Sequence, residues 1–162
     1  MDAEEIQNKL AKVSQKTFKK VVGFLLKKFF LFDAIDVDGS GDGGSDWKSF
    51  EAGGQRLRIA IQDTVQQAGW EKKALDDATK AAAELGVNRY LFFTNRHHQQ
   101  TTTVELEEKI TRETGLSCQI FEARVIGEIV FGRGLGGDFL AAIGEKPAPR
   151  PPELPEICLC AY

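Results

Sequence analysis

Three short apolar runs, Arg56-Leu-Arg-Ile-Ala-Ile-Gln62, Arg89-Tyr-Leu-Phe-Phe-Thr94 and Ser117-Cys-Gln-Ile-Phe121, are separated by longer polar segments with helical character. This alternation constrains the chain more than any other feature. The first run alternates polar and apolar residues before turning continuously apolar, as a strand covered on both faces does. Between the first two runs, Gly69 to Leu85 is rich in Ala, Lys, Glu and Asp and is closed by Gly86, which predicts a helix with a glycine C-cap. Between the second and third, Thr103 to Glu113 predicts another helix, with Gln99-Gln100 in the preceding loop and Thr102 or Thr103 as its cap. A last short helix is expected over Glu122 to Val130. Strand, helix, strand, helix, strand is the pattern of crossover units, which place their strands in a shared, largely parallel sheet. The class is therefore α/β, or α+β with a mixed sheet.

Upstream, Ile6, Leu10, Val13, Phe18, Val21, Val22, Leu25, Leu26 and Phe29 recur every three to four residues, so one amphipathic helix is predicted from Ala3 to Phe32. Asp33-Ala-Ile-Asp-Val37 reads as a short strand, and Asp38-Gly-Ser-Gly-Asp-Gly-Gly-Ser45 as a turn in which glycine supplies positive φ. Asp46-Trp-Lys-Ser-Phe50 is then the returning arm of a hairpin. With 162 residues, 42% of them hydrophobic, a single core suffices. That domain is expected over residues 1–144, followed by a linker or tail over 145–162. All five prolines lie between Lys146 and Pro155, and such a stretch is extended and stiff rather than folded.

The net charge of −3, from 21 basic and 24 acidic residues, does not advertise nucleic-acid binding by itself. The distribution is more informative. Lys9, Lys12, Lys16, Lys19, Lys20, Lys27 and Lys28 make the first helical segment strongly basic, while acids gather between Asp33 and Asp46; a solvated helix face accounts for the lysines equally well. Cys118, Cys158 and Cys160 form neither a CxxC pair nor an even disulfide framework, which fits a reduced compartment, and no His or Cys stands beside the C-x-C pair to complete a zinc site. No apolar run is long enough to span a membrane, and Met1-Asp2-Ala3-Glu4-Glu5 is acidic where a signal peptide is basic, so a cytoplasmic location is expected.

A hard divalent cation such as magnesium takes oxygen ligands and keeps several waters. Asp46 opens one predicted strand and Gln62-Asp63-Thr64 closes the one expected beside it, so the two ends can face one cleft. Asp63 is expected to point to the opposite face from Gln62, because successive strand side chains alternate.

Gly41-Asp42-Gly43-Gly44-Ser45-Asp46 followed by Ile59-Ala60-Ile61-Gln62 resembles the PD-(D/E)xK nuclease superfamily, particularly its methylation-dependent restriction branch, in which a hairpin ending in G-x-D precedes a strand ending in Q-x-K. Asn88-Arg-Tyr-Leu-Phe-Phe-Thr-Asn-Arg96 is similar to a later strand of these nucleases, and the resemblance covers about residues 15 to 130. It implies a restriction-endonuclease-like three-layer core with a central mixed β-sheet flanked by helices. It also implies a magnesium-dependent DNA endonuclease, with manganese able to substitute, acting as the effector domain of a restriction or antiviral defence protein and commonly as a homodimer or a larger assembly through additional domains. Asp46 and Gln62 take the metal-binding positions. The lysine position two residues after Gln62 holds Thr64, a departure from the pattern. Some members take that lysine from the following helix, and Trp70-Glu71-Lys72-Lys73 resembles their W-x-x-K arrangement, so Lys73, with Lys72 next, is the catalytic candidate. Lys48, Arg96 and His97 are the candidates for contact with nucleic acid. Members also often carry a glutamate on the first helix; only Glu4 and Glu5 are available there.

Three rival readings concern the same residues. A catalytically decayed module that binds nucleic acid or a protein is favoured by Thr64. Asp36, Asp38, Ser40 and Gly41 imitate the start of a calcium loop, but Trp47 stands where a bidentate Glu belongs. Gly132-Arg-Gly-Leu-Gly-Gly137 has a loose GxG character, yet it follows no strand and opens no clear helix, so a flexible turn is expected. His97-His98 and Trp47 have bland alternatives in a solvated loop and in packing.

Overall fold

A computed structural model describes residues 1–31, 34–36, 47–49 and 58–147, the two short segments as backbone alone. Its elements follow in the order α1 (Ala3–Leu10), α2 (Gln15–Lys28), β1 (Ala34–Asp36), β2 (Trp47–Ser49), β3 (Ile59–Thr64), α3 (Trp70–Glu84), β4 (Arg89–Thr94), α4 (Gln100–Thr114), β5 (Ser117–Phe121), α5 (Ala123–Gly132) and α6 (Gly136–Ile143). The three apolar runs become β3, β4 and β5, which lie side by side in that order and all parallel. Ile59 stands opposite Arg89, Thr64 opposite Thr94, and Phe93 opposite Phe121. The class is α/β, with helices on both faces of the sheet. β1 and β2 pair antiparallel, Ile35 opposite Lys48, as the hairpin reading requires, and β2 lies against β3 without hydrogen-bonding to it, so among the described residues the expected central mixed sheet is instead a parallel sheet and a separate antiparallel pair.

Alternation along the strands divides the core. Ile59, Ile61, Leu91, Phe93 and Phe121 face one side, where they meet Phe18, Val21, Val22, Leu25 and Leu26 of α2 and Ile126 and Val130 of α5. Phe93 stacks on Phe121 at 4.9 Å between ring centroids, and Phe30 meets both rings edge-on. Ala60, Tyr90, Phe92, Cys118 and Ile120 face the other side, covered by α3 and α4. Here Ala74, Ala78 and Ala81 recur at helical spacing, and their small side chains let α3 lie close on the strands, with Trp70 stacked on Phe92 at its N-terminal end.

The outer edge of β5 is met by α4. Glu107 accepts a hydrogen bond from the Ile120 amide at 2.8 Å, and the Thr111 hydroxyl accepts one from the Cys118 amide at 3.4 Å. Burial pushes the Glu107 carboxyl above its ordinary pKa, and the Ile120 N–H offsets this in part. Burial, and then the nearby Glu107 charge, push the Cys118 thiol up to about 12.

Several expected boundaries shift. The single helix predicted from Ala3 to Phe32 is two. α1 carries its own capping box, in which the Asp2 carboxylate accepts from the Glu5 amide and the Glu5 carboxylate accepts from the Asp2 amide. Ser14 then caps α2 through its hydroxyl, which accepts from the Thr17 amide. The break lets α1 turn away and dock on α5, where Gly127 admits the α1 backbone: a Cβ at Gly127 would stand 2.7 Å from the Ala3 carbonyl oxygen. β3 continues to Thr64 instead of ending at Gln62. α4 starts at Gln100, so Thr102 and Thr103 lie inside it and cap nothing; the Thr103 hydroxyl donates back to the Gln99 carbonyl. The turn expected over Gly132 to Gly137 opens α6, which buries Phe139 and packs on α2, so α5 is not the last helix.

Among the described residues no helix is long and apolar enough to cross a membrane. The loop from Asp38 to Asp46, with its calcium-like spacing, and residues 148–162, with most of the proline-rich segment, Cys158 and Cys160, lie outside the described residues.

Candidate functional site

The C-terminal half of β3 presents two polar residues in succession, and the strand's alternation sends them to opposite faces as expected. Gln62 shares the face of Ala60 and meets α3. Asp63 shares the face of Ile61 and meets α2. Both are more than nine-tenths buried, so each must be satisfied by specific partners.

On the α2 face, the Gln15 side-chain amide donates to the Asp63 carboxylate while its carbonyl accepts from the Val65 amide at 3.0 Å. Lys19 Nζ lies 3.6 Å from the other carboxylate oxygen of Asp63. Two residues one helical turn apart on α2 thus converge on one buried carboxylate, which ties the helix to the end of the strand. Lys19 of the basic run is therefore largely buried in an ion pair rather than set on a solvated face.

On the α3 face, Gln62 Nε2 donates to Asp77 Oδ2 at 2.9 Å, and Lys73 Nζ reaches the same oxygen at 2.7 Å. Lys73 and Asp77 are one turn apart, so both project from one stripe of the helix toward the strand. The Gln62 carbonyl oxygen is buried and has no hydrogen-bond partner among the described residues. An amide oxygen deprived of water in this way costs free energy of roughly 1–3 kcal/mol unless something supplies a donor or a cation. Magnesium's preference for oxygen ligands fits that atom.

Of the two lysine candidates, the structure places Lys73 beside Gln62, whereas Lys72 points outward, four-fifths exposed, and pairs with Asp76 at 2.5 Å. Thr64 stands on the Gln62 face at the strand end, its hydroxyl accepting from the Gln66 amide at 3.2 Å. Asp46 lies outside the described residues, and Lys48 lies in β2, where backbone alone is described. Among the described residues no group of three His, Cys, Asp or Glu side chains is placed to hold a metal. Glu4 and Glu5 belong to the first turn of α1, with Glu5 in its capping box.

Arg96, after β4, donates through Nε and Nη2 to the Val65 carbonyl at 3.2 and 2.6 Å, bridging the ends of β3 and β4. His97 is mostly exposed and sits 3.6 Å from Glu122, the buried N-cap of α5, whose carboxylate accepts from the Arg124 and Val125 amides. His98 is not a solvated loop residue. Its Nε2 accepts from the Trp70 indole N–H at 3.0 Å, and its ring meets that indole edge-on.

Asp77 is the site residue that the sequence reading missed. Its only signal is its place four residues after Lys73, which reads equally well as a surface ion pair.

Fold and site together define an α/β protein with a three-stranded parallel sheet between helical layers and a buried polar cluster where β3 meets α3. No family model, curated protein or solved structure matches this chain.

Proposed function

We propose that this chain is a magnesium-dependent DNA endonuclease domain of the restriction-endonuclease-like type, the effector of a restriction or antiviral defence protein. The observation that carries the reading is the buried carbonyl oxygen of Gln62, without a partner among the described residues, on an amide that shares the Asp77 acceptor with the Lys73 ammonium. Gln62 contributes a neutral oxygen ligand and Asp46, which immediately precedes β2 in the chain, contributes the carboxylate. β2 contacts β3 without hydrogen-bonded pairing among the described residues, and this contact is what brings the hairpin to the parallel strands in this reading. When bound, the ion lowers the pKa of a water, aligns it with the phosphodiester and offsets charge in the transition state. Lys73 supplies the fixed positive charge that Thr64 cannot, from the helix instead of the strand. Its side chain is about one-third exposed, enough to meet a phosphate oxygen. Lys48, Arg96 and His97 contact the DNA backbone, the site works in a cytoplasmic homodimer that cuts both strands, and manganese substitutes for magnesium.

A second reading keeps the fold and the nucleic-acid or protein contacts but not the cutting. It is favoured by Thr64, whose hydroxyl is already engaged with the Gln66 amide, and by the pairing of Lys73 with Asp77. Plasmid DNA incubated with magnesium or manganese decides between them. Wild type is expected to nick, Asp46→Ala to be inactive, and Lys73→Ala to lose roughly 10²–10³-fold in rate, the scale for removing one transition-state charge partner. Equal nicking by all three overturns the nuclease reading. Activity lost in Asp46→Ala but kept in Lys73→Ala removes Lys73 from the site, and DNA binding without cutting by wild type selects the second reading.

A further inference from the structure

We infer that Asp77 is the positioning residue of this site: it sets the rotation of the Gln62 amide, so that the carbonyl oxygen rather than the NH2 group faces the ligand. The inference rests on the metal-site reading above. A carboxylate has only lone pairs to offer, so the end of the Gln62 amide that meets Asp77 must be the donor end. Gln62 Nε2 accordingly donates to Asp77 Oδ2, and Oε1 is left buried and without a partner among the described residues. Lys73 holds the same oxygen of Asp77 from one helical turn away, so the acceptor is itself fixed.

The arrangement also keeps apart two groups that would otherwise pair. Lys73 Nζ and Gln62 Nε2 are both within hydrogen-bond reach of one oxygen atom. Without that oxygen, Lys73 is left to seek another acceptor and the Gln62 amide is released to turn its carbonyl to the lysine and its NH2 group, a donor, toward the cation position. A cation cannot use a donor. Asp77 therefore acts through another residue, and what matters is an acceptor oxygen at its Oδ2 position rather than its negative charge.

Three variants separate those roles, with manganese alone as the probe in titration calorimetry of the full chain. Asp77→Leu removes the acceptor and is expected to weaken Mn2+ binding at least tenfold. Asp77→Asn keeps one acceptor oxygen for both donors and is expected to stay within about threefold of wild type, although it removes the same charge. Gln62→Glu identifies the Gln62 side-chain NH2 signals in a nitrogen–proton correlation spectrum, being the variant that lacks them. In metal-free protein those signals are expected as a resolved, slowly exchanging pair in wild type and Asp77→Asn, and to shift or average in Asp77→Leu. Equal Mn2+ affinity in wild type and Asp77→Leu overturns the inference, as does Asp77→Asn falling as far as Asp77→Leu, which would make Asp77 a charge only. A Gln62 amide as mobile in wild type as in solvent also overturns it and does not depend on Asp77→Leu folding. If wild type binds no Mn2+ while its Gln62 amide is ordered by Asp77, the metal reading falls and the amide-setting contact stands.

Discussion

Gln15 uses both ends of its amide, donating to Asp63 and accepting from the Val65 amide, so one side chain satisfies a buried carboxylate and a strand-end N–H at once. Gln15→Ala takes the acceptor from the Val65 amide and one donor from Asp63, whose carboxylate keeps Lys19, and is expected to destabilise the fold by about 1–3 kcal/mol, read as a lower urea midpoint with unchanged slope. Cys118 carries a pH dependence of definite sign. Its thiol is raised from 9.0 to about 12, so below pH 9 it is neutral in both folded and unfolded chains. Above pH 9 the unfolded chain releases the proton first and is favoured, so stability falls as pH rises from about 9 toward 12, by up to about 1.4 kcal/mol per pH unit from this group. Urea midpoints at pH 8 and pH 10.5 are expected to converge in Cys118→Ala relative to wild type; an identical pH slope in both proteins rules the thiol out. At this scale the opposite facing of Gln62 and Asp63 was legible in the sequence, because period-two alternation needs nothing but the strand. The partners were not. Whether Lys73 or Lys72 turns to the sheet depends on the helix's rotation about its axis, which Trp70, Ala74, Ala78 and Ala81 set by packing.

α1 is eight residues long, too short to be stable alone, so its capping box and its seat on α5 must hold it together. Gly127→Ala puts a methyl group into the Ala3 carbonyl and the Gln7 side chain, and α1 has to back away from α5. The expected cost is about 1–3 kcal/mol, with faster amide hydrogen exchange confined mainly to α1 and the facing turn of α5. Exchange that rises evenly across the sheet instead would argue against a local seat. The strands Arg89–Thr94 and Ser117–Phe121 were readable to the residue, the first as an apolar run between Asn88 and Asn95, the second as a polar–apolar alternation following Gly115. The broken first helix was not, because its apolar spacing carries across Ala11 to Ser14 and only the cap at Ser14 marks the break. α6 was hidden by its own first residues: Gly136 and Gly137 are poor helix formers, and the buried Phe139 is what holds the segment helical.

For the molecule as a whole, the helical layers leave β3 and β5 as the flanks of the parallel sheet, with β2 against the first and α4 against the second. The amides of Cys118 and Ile120 are the ones β5 would offer to a further strand, and Thr111 and Glu107 already occupy them. A strand arriving there finds its donors taken and a carboxylate in its path. Edge strands left open invite cross-β growth, so these two side chains act as a stopper against self-association. The double variant Glu107→Ala/Thr111→Val is expected to remain folded yet scatter light and bind thioflavin on mild warming, under conditions where wild type stays clear. If both proteins stay equally clear, α4 shields the edge by bulk alone. The same stopper bears on assembly: two copies of this chain cannot zip their sheets together through β5, so the proposed homodimer would need a different seam.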